Sequence, residues 1–291
     1  MESIAFIVNP IAGGRSKQQL PKHVAAAFPP AHYHTQIVYT EQAGDAERMA
    51  KTFAAQGFCK VVAVGGDGTV NEVARGLIDT PAALGIVPYG SGNGLARHLK
   101  IPVLMPRKAL SFIANAQVRA IDYCTLNGAP FFCTAGVGFD ALVGSKFAKD
   151  TQRGLVTYIK HVVDNIATYR PEKYRLVIDG KAIERTAFLI TFANASQWGN
   201  NGYIAPHANI SDGWMDVVII NEFAAYKLPS MVTKLFTRQL PSEPEVETFR
   251  CQHVIVECAK KGYAHYDGEP TVPGNRLEVK IFPQRLKVLT M

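Results

Sequence analysis

A carboxylate stands inside a glycine turn in the stretch VVAVGGDGTVNEVA, residues 61–74. Four apolar residues lead into a glycine pair, Asp67 follows, and Gly68 opens a run that is compatible with a helix. Backbone amides at the N-terminus of a helix are unpaired and carry partial positive charge, so a strand, a glycine turn and a helix in this order favour an anion such as phosphate. A carboxylate beside phosphate is repelled, unless it binds a divalent cation or accepts a proton from an attacking hydroxyl group. Both of these roles indicate phosphoryl transfer, and the structural alternative is a turn in which Asp67 caps the helix.

Two further glycine turns follow apolar stretches. NPIAGG, residues 9–14, ends the first such stretch, and PYGSGNGLAR, residues 88–97, ends the fourth. At the carboxyl ends of parallel strands, all three turns would share one edge of the sheet and form a cradle for a polyphosphate. Arg15 and Lys17 follow the first turn, and they are either surface charges or contacts to a γ-phosphate.

The first 120 residues alternate between predicted strands and helices. Residues 60–66, KVVAVGG, are almost wholly apolar, which is typical of a strand that is buried on both faces of a parallel sheet. Residues 44–57 repeat apolar side chains at helical spacing. The other strands are expected at 3–10, 34–40 and 83–90, and the other helices at 18–28 and after residue 68. This order predicts a parallel α/β sheet with ligands at the carboxyl ends of its strands.

The pattern changes after about Ile121. Short apolar or alternating runs follow, and Asp-Gly and Gly-Asn pairs separate several of them, which indicates hairpins and a mostly antiparallel sheet. These runs are residues 131–143, 173–184, 185–195, 214–222, 253–260, 263–270 and 276–283. Two helices with apolar stripes are expected at 155–166 and 228–236.

The composition indicates a globular cytoplasmic protein. Hydrophobic residues make up 47% and charged residues 19% of the 291 residues, and no apolar run reaches the roughly 20 residues that cross a bilayer. The N-terminal MESIAFIVNP lacks a basic region and a cleavage site, so no signal peptide is expected. Five cysteines, an odd number without metal-ligand spacing, favour reduced thiols.

The formal net charge of +7 suits an anionic membrane surface or a polyanionic small molecule. Nucleic acid is not expected as a partner, because no recognised binding motif accompanies the charge. Basic residues recur along the second predicted helix at Lys227, Lys234 and Arg238, and in the segments 146–149 and 170–175. We expect transient contact with an anionic membrane surface there, and a homodimer is left open.

Five motifs in order resemble one family. GGDGTVNE behind an apolar strand, with NPIAGG before it and GSGNGLAR after it, is similar to the diacylglycerol kinase catalytic domain of lipid kinases. That family includes bacterial diacylglycerol kinases, sphingosine kinases and ceramide kinases. ISDGWMDVVII and YDGEP, residues 210–220 and 266–270, match the two later acidic motifs of the family. The resemblance therefore extends over nearly the whole chain.

The resemblance implies an ATP- and Mg2+-dependent lipid kinase that phosphorylates a primary hydroxyl group of diacylglycerol or a sphingoid base. It implies a Rossmann-like parallel α/β nucleotide-binding domain over 1–122 and an antiparallel β-sandwich domain over 123–291, with the active site in the cleft between them. The last residues could return to the first domain. ATP contacts are implied at Asn9, Pro10, Ile11, Ala12, Gly13, Thr40, Gly66, Asp67, Gly68, Thr69, Val70, Asn71, Glu72 and Ser91.

The catalytic and metal-binding residues are implied in the same way. Glu269 corresponds to the general base, with Asp267 beside it, and Asp67 lies in the catalytic centre. Asp212 corresponds to a metal ligand. The main-chain oxygen of Trp214 and an oxygen of Asn209 complete that site, and Asp122 belongs to the metal–water network.

The chain departs from the diacylglycerol kinase pattern at Gly94, where those enzymes usually have an aspartate. This puts their acidic network in doubt here, and GSGN is closer to the sphingosine and ceramide kinase form. Two alternative functions stay open. An NAD kinase also carries GGDGT, but the second motif of that family, which has the form Asn-Thr-Asp-Asn-Asp, is not found in this sequence. A non-catalytic nucleotide-binding module would not need both Asp67 and Glu269.

Overall fold

The computed structural model describes residues 1–150, 155–166, 168–259, 262–272 and 274–291, without the side chains of 147–149, 155, 156, 158 and 159. The chain divides into two compact units. The N-terminal unit comprises Met1–Ile121 and Gln284–Met291, and the C-terminal unit comprises Asp122–Pro283. None of the described helices is long and apolar enough to cross a membrane.

The N-terminal unit is a parallel α/β sheet. Its strands lie in the order β4-β3-β1-β2 and pair in parallel. Its elements are β1 Glu2–Val8, α1 Leu20–Ala27, β2 Tyr33–Tyr39, α2 Asp45–Ala55, β3 Lys60–Gly65, α3 Asp67–Leu77, β4 Ala83–Pro88, α4 Gly94–His98 and α5 Pro106–Asn115. The apolar residues of β3 at positions 61–64 are fully buried. The predicted parallel α/β class is therefore confirmed.

The C-terminal unit is mostly antiparallel. Its strands pair antiparallel in the order β14-β13-β7-β9-β8-β12-β15, and β10 pairs with β9 and β11. The elements are β5 Gln117–Leu126, β6 Ala129–Phe131, β7 Thr134–Gly138, α6 Phe139–Lys149, α7 Leu155–Ile166, β8 Glu172–Ile178, β9 Lys181–Ala193, β10 Met215–Asn221, α8 Leu228–Phe236, β11 Val246–Cys251, β12 His253–Cys258, β13 Ala264–Tyr266, β14 Glu269–Thr271 and β15 Arg276–Thr290. Two strands are divided between the units: residues 117–121 of β5 and the last residues of β15 belong to the N-terminal unit, where Val288 pairs in parallel with Leu84 of β4.

The hairpins of this unit follow their turn residues. Asp179 and Gly180 join β8 to β9, and Asp267 and Gly268 join β13 to β14. All four residues have positive φ angles, between +43° and +84°. Two consecutive positive φ angles define the turn that matches the twist of paired strands, and Asp-Gly adopts it readily.

Some predicted elements differ from the structure. The apolar run 131–143 is a strand only in part, because α6 begins at Phe139, and the strands β5, β6 and β11 were not predicted. In α8, Met231 is buried, whereas Val232 and Phe236 are 43% and 46% exposed, so only part of the predicted stripe packs. For α7, the side chains of Leu155, Tyr158 and Ile159 in the predicted stripe lie outside the described residues.

Candidate active site

The three glycine loops follow the ends of neighbouring parallel strands. Val8 of β1 is the register partner of Val64 of β3, and Gly65 is the partner of Pro88 of β4. The loops continue the pairing, since the Tyr89 amide donates to the Gly65 carbonyl oxygen at 2.8 Å. The sequence-based expectation that the loops share one edge of the sheet holds for the N-terminal unit.

Glycine is required where these loops approach each other. A Cβ atom on Gly13, whose φ is +68°, would lie 1.9 Å from the carbonyl oxygen of Tyr89. A Cβ atom on Gly90 would lie 2.7 Å from the Cα atom of Gly66. Side chains at these positions would push the backbones apart. The glycines therefore bring the loops together, in addition to leaving room for a ligand.

Asp67 joins the second glycine loop to the third. Its two carboxylate oxygens accept hydrogen bonds from the backbone amides of Asn93 and Gly94, each at 2.8 Å. Burial raises the pKa of Asp67, and the two amides act in the opposite direction. Gly66 is the N-cap of α3, so Asp67 does not cap its own helix but receives the first amides of α4. This is a structural role for the carboxylate that the sequence did not predict.

Asn9 and Thr40 stand at the ends of β1 and β2. The Asn9 side chain donates to Thr69 Oγ1 at 3.1 Å and accepts from the amide of Ile11 at 3.1 Å. The Thr40 amide donates to the carbonyl oxygen of Val8 at 2.9 Å. These contacts fix the start of the first loop. The other loop residues predicted to contact ATP are exposed or partly exposed, namely Pro10, Ile11, Ala12, Gly13, Gly68 and Ser91.

Three residues predicted to contact ATP lie on α3. Glu72 accepts hydrogen bonds from the amides of Gly44 and Ala46, at 3.0 and 3.1 Å, and so caps the start of α2. Val70 and Asn71 are 7% and 4% exposed. Glu72 thus supports the start of α2, and Val70 and Asn71 are buried within the N-terminal unit.

Lys17 braces the first loop. Its ammonium group donates to the carbonyl oxygens of Pro10, Ala12 and Arg15, at 3.2, 2.7 and 3.1 Å. It also lies 4.7 Å from the ring centroid of Tyr89, and burial lowers its pKa. A lysine with these partners holds the loop from within, while Arg15 is exposed.

The two carboxylates of the DGE turn differ in their surroundings. Asp267 accepts hydrogen bonds from three consecutive backbone amides, those of Phe132, Cys133 and Thr134, at 2.9, 2.8 and 3.2 Å. Glu269 is exposed on the short strand β14. Asp267 therefore anchors the hairpin on the start of β7, and Glu269 is the carboxylate presented to solvent.

Asp122 lies beside the loop that carries the other predicted metal ligands. It is 0% exposed. Its amide donates to the carbonyl oxygen of Ile210, and its carboxylate accepts from the amide of Gly213, both at 2.7 Å. The structure thus brings Asp122 together with residues 209–214 within the C-terminal unit.

The carboxylate of Asp212 has a cationic partner. It accepts from the Trp214 amide at 3.1 Å and from the Arg250 guanidinium at 2.6 Å. The side-chain oxygen of Asn209 accepts from the amide of Ser211 at 3.2 Å. Mg2+ binds carboxylate, amide and carbonyl oxygens, so these residues fit as its ligands. A metal ion would have to displace Arg250 from the carboxylate of Asp212 or share that carboxylate with it. Within the described ranges, no group of three or more His, Cys, Asp or Glu residues could hold a metal ion.

Three polar residues of the C-terminal unit were missed by sequence reasoning. Arg250 lies on β11, in the run VETFRC that was not recognised as a strand. His265 and Asp140 form a buried pair. His265 lies two residues before Asp267, and this proximity to the DGE turn could have drawn attention to it in the sequence.

The basic residues beside α8 have acidic or aromatic partners. Lys227 pairs with Glu245, Lys234 pairs with Glu243 at 3.0 Å, and Arg238 donates to the Tyr203 hydroxyl group at 2.8 Å. In the segment 170–175, Arg175 pairs with Glu257 at 2.8 Å. Of the segment 146–149, the side chains of 147–149 lie outside the described residues. The charge expected to meet a membrane is thus partly neutralised.

Comparisons with known proteins match both halves of the chain. Residues 3–126 match the model of the diacylglycerol kinase catalytic domain, and residues 133–290 match the YegS C-terminal NAD kinase beta sandwich-like domain. A diacylglycerol kinase of Bacillus subtilis is 30% identical over 92% of this chain and 90% of that protein. A diacylglycerol kinase of Mycobacterium tuberculosis is 28% identical over 98% and 94%, respectively. A crystal structure of a diacylglycerol kinase from Bacillus anthracis shares the fold, with a TM-score of 0.75, 20% identity, and coverage of 100% of this chain and 97% of that one.

Proposed function

We propose an acceptor and a catalytic base for this chain, which belongs to the diacylglycerol kinase family and is a lipid kinase. The acceptor is a primary hydroxyl group of a lipid. Diacylglycerol is the first candidate because relatives over nearly the whole chain are named diacylglycerol kinases. A sphingoid base is the second candidate, because GSGN, residues 90–93, is closer to the form found in sphingosine and ceramide kinases.

The observation that carries the proposal is the contrast between the two carboxylates of the DGE turn. Three backbone amides hold Asp267, whereas Glu269 is exposed at the start of β14. A general base needs an accessible carboxylate in a fixed place. Glu269 is the accessible carboxylate of the turn and accepts the proton of the lipid hydroxyl group, and Asp267, which anchors the turn, acts as its positioning residue.

The N-terminal unit supplies the nucleotide site. ATP, when bound, supplies the phosphoryl group. The amides of Gly66, Gly68 and Thr69 lie at the start of α3, where they lack partners within the helix and favour phosphate oxygens. Asp67 holds the third loop beside them through Asn93 and Gly94. The loops thus present backbone donors without side chains in the way.

We propose Mg2+ at the loop 209–214. Asp212, the side chain of Asn209 and the main-chain oxygen of Trp214 would hold it, and its charge would neutralise phosphate oxygens. Asp122 fixes this loop through its bonds to Ile210 and Gly213. In the structure the guanidinium group of Arg250 pairs with the carboxylate of Asp212, so a metal ion must compete with this ion pair.

We also propose that the protein contacts a membrane surface transiently and so reaches its lipid substrate. Tyr226, Val232 and Phe236 on or beside α8 are 80%, 43% and 46% exposed. Apolar side chains of this kind can enter the interfacial region of a bilayer. Binding to vesicles of neutral and anionic lipid, measured by co-sedimentation, tests this proposal. A homodimer remains a prediction, which light scattering would test.

One assay separates the candidate functions. Labelled ATP is offered with diacylglycerol, sphingosine, ceramide or NAD, the lipids being in mixed micelles, and each product is resolved. We expect a labelled lipid phosphate, and its identity names the substrate. Labelled NADP would establish the NAD kinase alternative, and the absence of any product together with tight ATP binding would favour the binding module.

A further inference from the structure

A buried histidine–aspartate pair lies behind the DGE hairpin. His265 of β13 and Asp140 in the first turn of α6 are 8% and 6% exposed. His265 Nε2 lies 2.9 Å from Asp140 Oδ2, and Asp140 Oδ1 accepts from the amide of Ala141 at 2.8 Å. A carboxylate accepts hydrogen bonds, so Nε2 is the donor in this pair. Nδ1 is buried and has no hydrogen-bond partner among the described residues.

The surrounding backbone is shaped to admit this pair. Gly136 of β7 is the register partner of His265. A Cβ atom on Gly136 would lie 2.6 Å from Asp140 Oδ2 and 2.9 Å from His265 Nε2. Three elements therefore meet at the pair. A buried carboxylate and the imidazole bonded to it stabilise a fold little more than apolar residues of similar volume would, because both polar groups lose their hydration. Stability alone does not account for this arrangement.

The pair lies beside a short hairpin at the edge of the sheet. β13 and β14 have three residues each, and within the described sheet β14 pairs only with β13, where Glu269 is opposite Tyr266. Asp267 anchors the turn through backbone amides of residues 132–134. Along β13, the next residue from the turn with a side chain bonded to another element is His265. Helix α6 packs against both strands of the hairpin.

We infer that His265, held by Asp140, is a positioning residue for Glu269. It fixes β13 in its register on β7, and thereby fixes the place of the carboxylate on β14. The inference rests on the proposed function only in taking Glu269 as the base. A catalytic group must be held within a fraction of an ångström of its productive place, which residues behind it provide.

Two variants of His265 separate positioning from packing. In His265→Gln, the amide nitrogen can take the place of Nε2 and donate to Asp140. In His265→Asn, the amide is too short to reach. Val256→Ala is the control for lost stability, because Val256 is buried on β12, which in the described sheet pairs with β8 and β15 and not with the hairpin. Each full-length protein is measured for its thermal midpoint, kcat, KM for ATP, and amide hydrogen exchange of residues 264–271.

We expect His265→Asn to lower kcat at least tenfold at an unchanged KM for ATP, with at least tenfold faster exchange in the hairpin. His265→Gln should keep both kcat and hairpin exchange close to wild type. Val256→Ala should keep kcat even where its thermal midpoint falls as far as that of His265→Asn. Unchanged hairpin exchange in His265→Asn, or a Gln variant as impaired as the Asn variant, would overturn the inference. Glu269→Gln is measured alongside. If it keeps full kcat, the proposed base fails, while hydrogen exchange still decides whether His265 fixes the hairpin.

Discussion

Replacement of Asp67 by asparagine tests whether its carboxylate holds the third glycine loop. Asparagine keeps the size of the side chain, and its oxygen can accept from one of the two amides of Asn93 and Gly94. Its amide nitrogen then faces the other backbone N–H, so one donor loses its acceptor. A hydrogen bond to a charged acceptor contributes about 1.5–3 kcal/mol, and a buried unpaired donor adds a cost of its own.

The loss is partly offset. Burial of the charged carboxylate is unfavourable, as the raised pKa of Asp67 indicates, and a neutral amide at this position does not carry that cost. We therefore expect Asp67→Asn to lower the free energy of unfolding of the N-terminal unit by about 2 kcal/mol. If the loop must be ordered for ATP to bind, the same energy weakens ATP affinity by up to about 30-fold. Turnover should be lost in this variant and in Asp67→Ala, both of which should fold.

Asp79→Asn is the matched control, because Asp79 follows the other end of α3 and pairs with Arg285 at the surface. An exposed pair of this kind contributes about 0–1 kcal/mol. Urea denaturation gives the unfolding free energies, and titration calorimetry gives the ATP affinities. The reasoning is refuted if Asp67→Asn matches Asp79→Asn in both quantities.

Three further predictions concern the loops, the metal site and the partly buried His98. Gly13→Ala should weaken ATP binding, measured by calorimetry, at least tenfold, and Gly14→Ala should weaken it only slightly. Both glycines have positive φ, but only a Cβ atom on Gly13 would clash with Tyr89. Equal effects of the two variants would contradict a role for the close contact between Gly13 and Tyr89. Asp212→Asn should lose activity that excess Mg2+ partly restores in a titration of kcat against magnesium, and the proposed metal ligand fails if magnesium has no effect. Burial lowers the pKa of His98 to about 4 from 6.5, so the unfolded chain binds this proton more tightly and stability falls as the pH drops from 6.5 towards 4. Between pH 7 and 4.5 the loss should be about 2 kcal/mol by urea denaturation, and His98→Gln should reduce this dependence on pH.

Local sequence signals predicted the elements that carry the site. The apolar run before Gly65 and the turns that contain Gly13 and Gly92 indicated neighbouring strand ends, and the structure places them so. The Asp267–Gly268 pair likewise indicated a hairpin. These features depend on a few consecutive residues, and turn chemistry and strand periodicity encode them directly.

The partners of the polar side chains could not be predicted in this way. Asp67 contacts amides that lie 26 and 27 residues away, and His265 contacts Asp140 across 125 residues. Such pairs depend on strand register and on the point where a helix begins, which no local pattern specifies. The Arg250 partner of Asp212 is a case in point, since it required strand β11 to be recognised first.

The most direct test of the proposed chemistry is kcat of Glu269→Gln for phosphorylation of diacylglycerol by labelled ATP in mixed micelles. Glutamine keeps the size of the side chain but cannot accept the hydroxyl proton. We predict a fall in kcat of about 10²–10⁴-fold, at an unchanged ATP affinity and thermal midpoint, that excess Mg2+ does not restore. A variant that keeps near wild-type kcat, or that magnesium rescues, would contradict the assignment of Glu269 as the base.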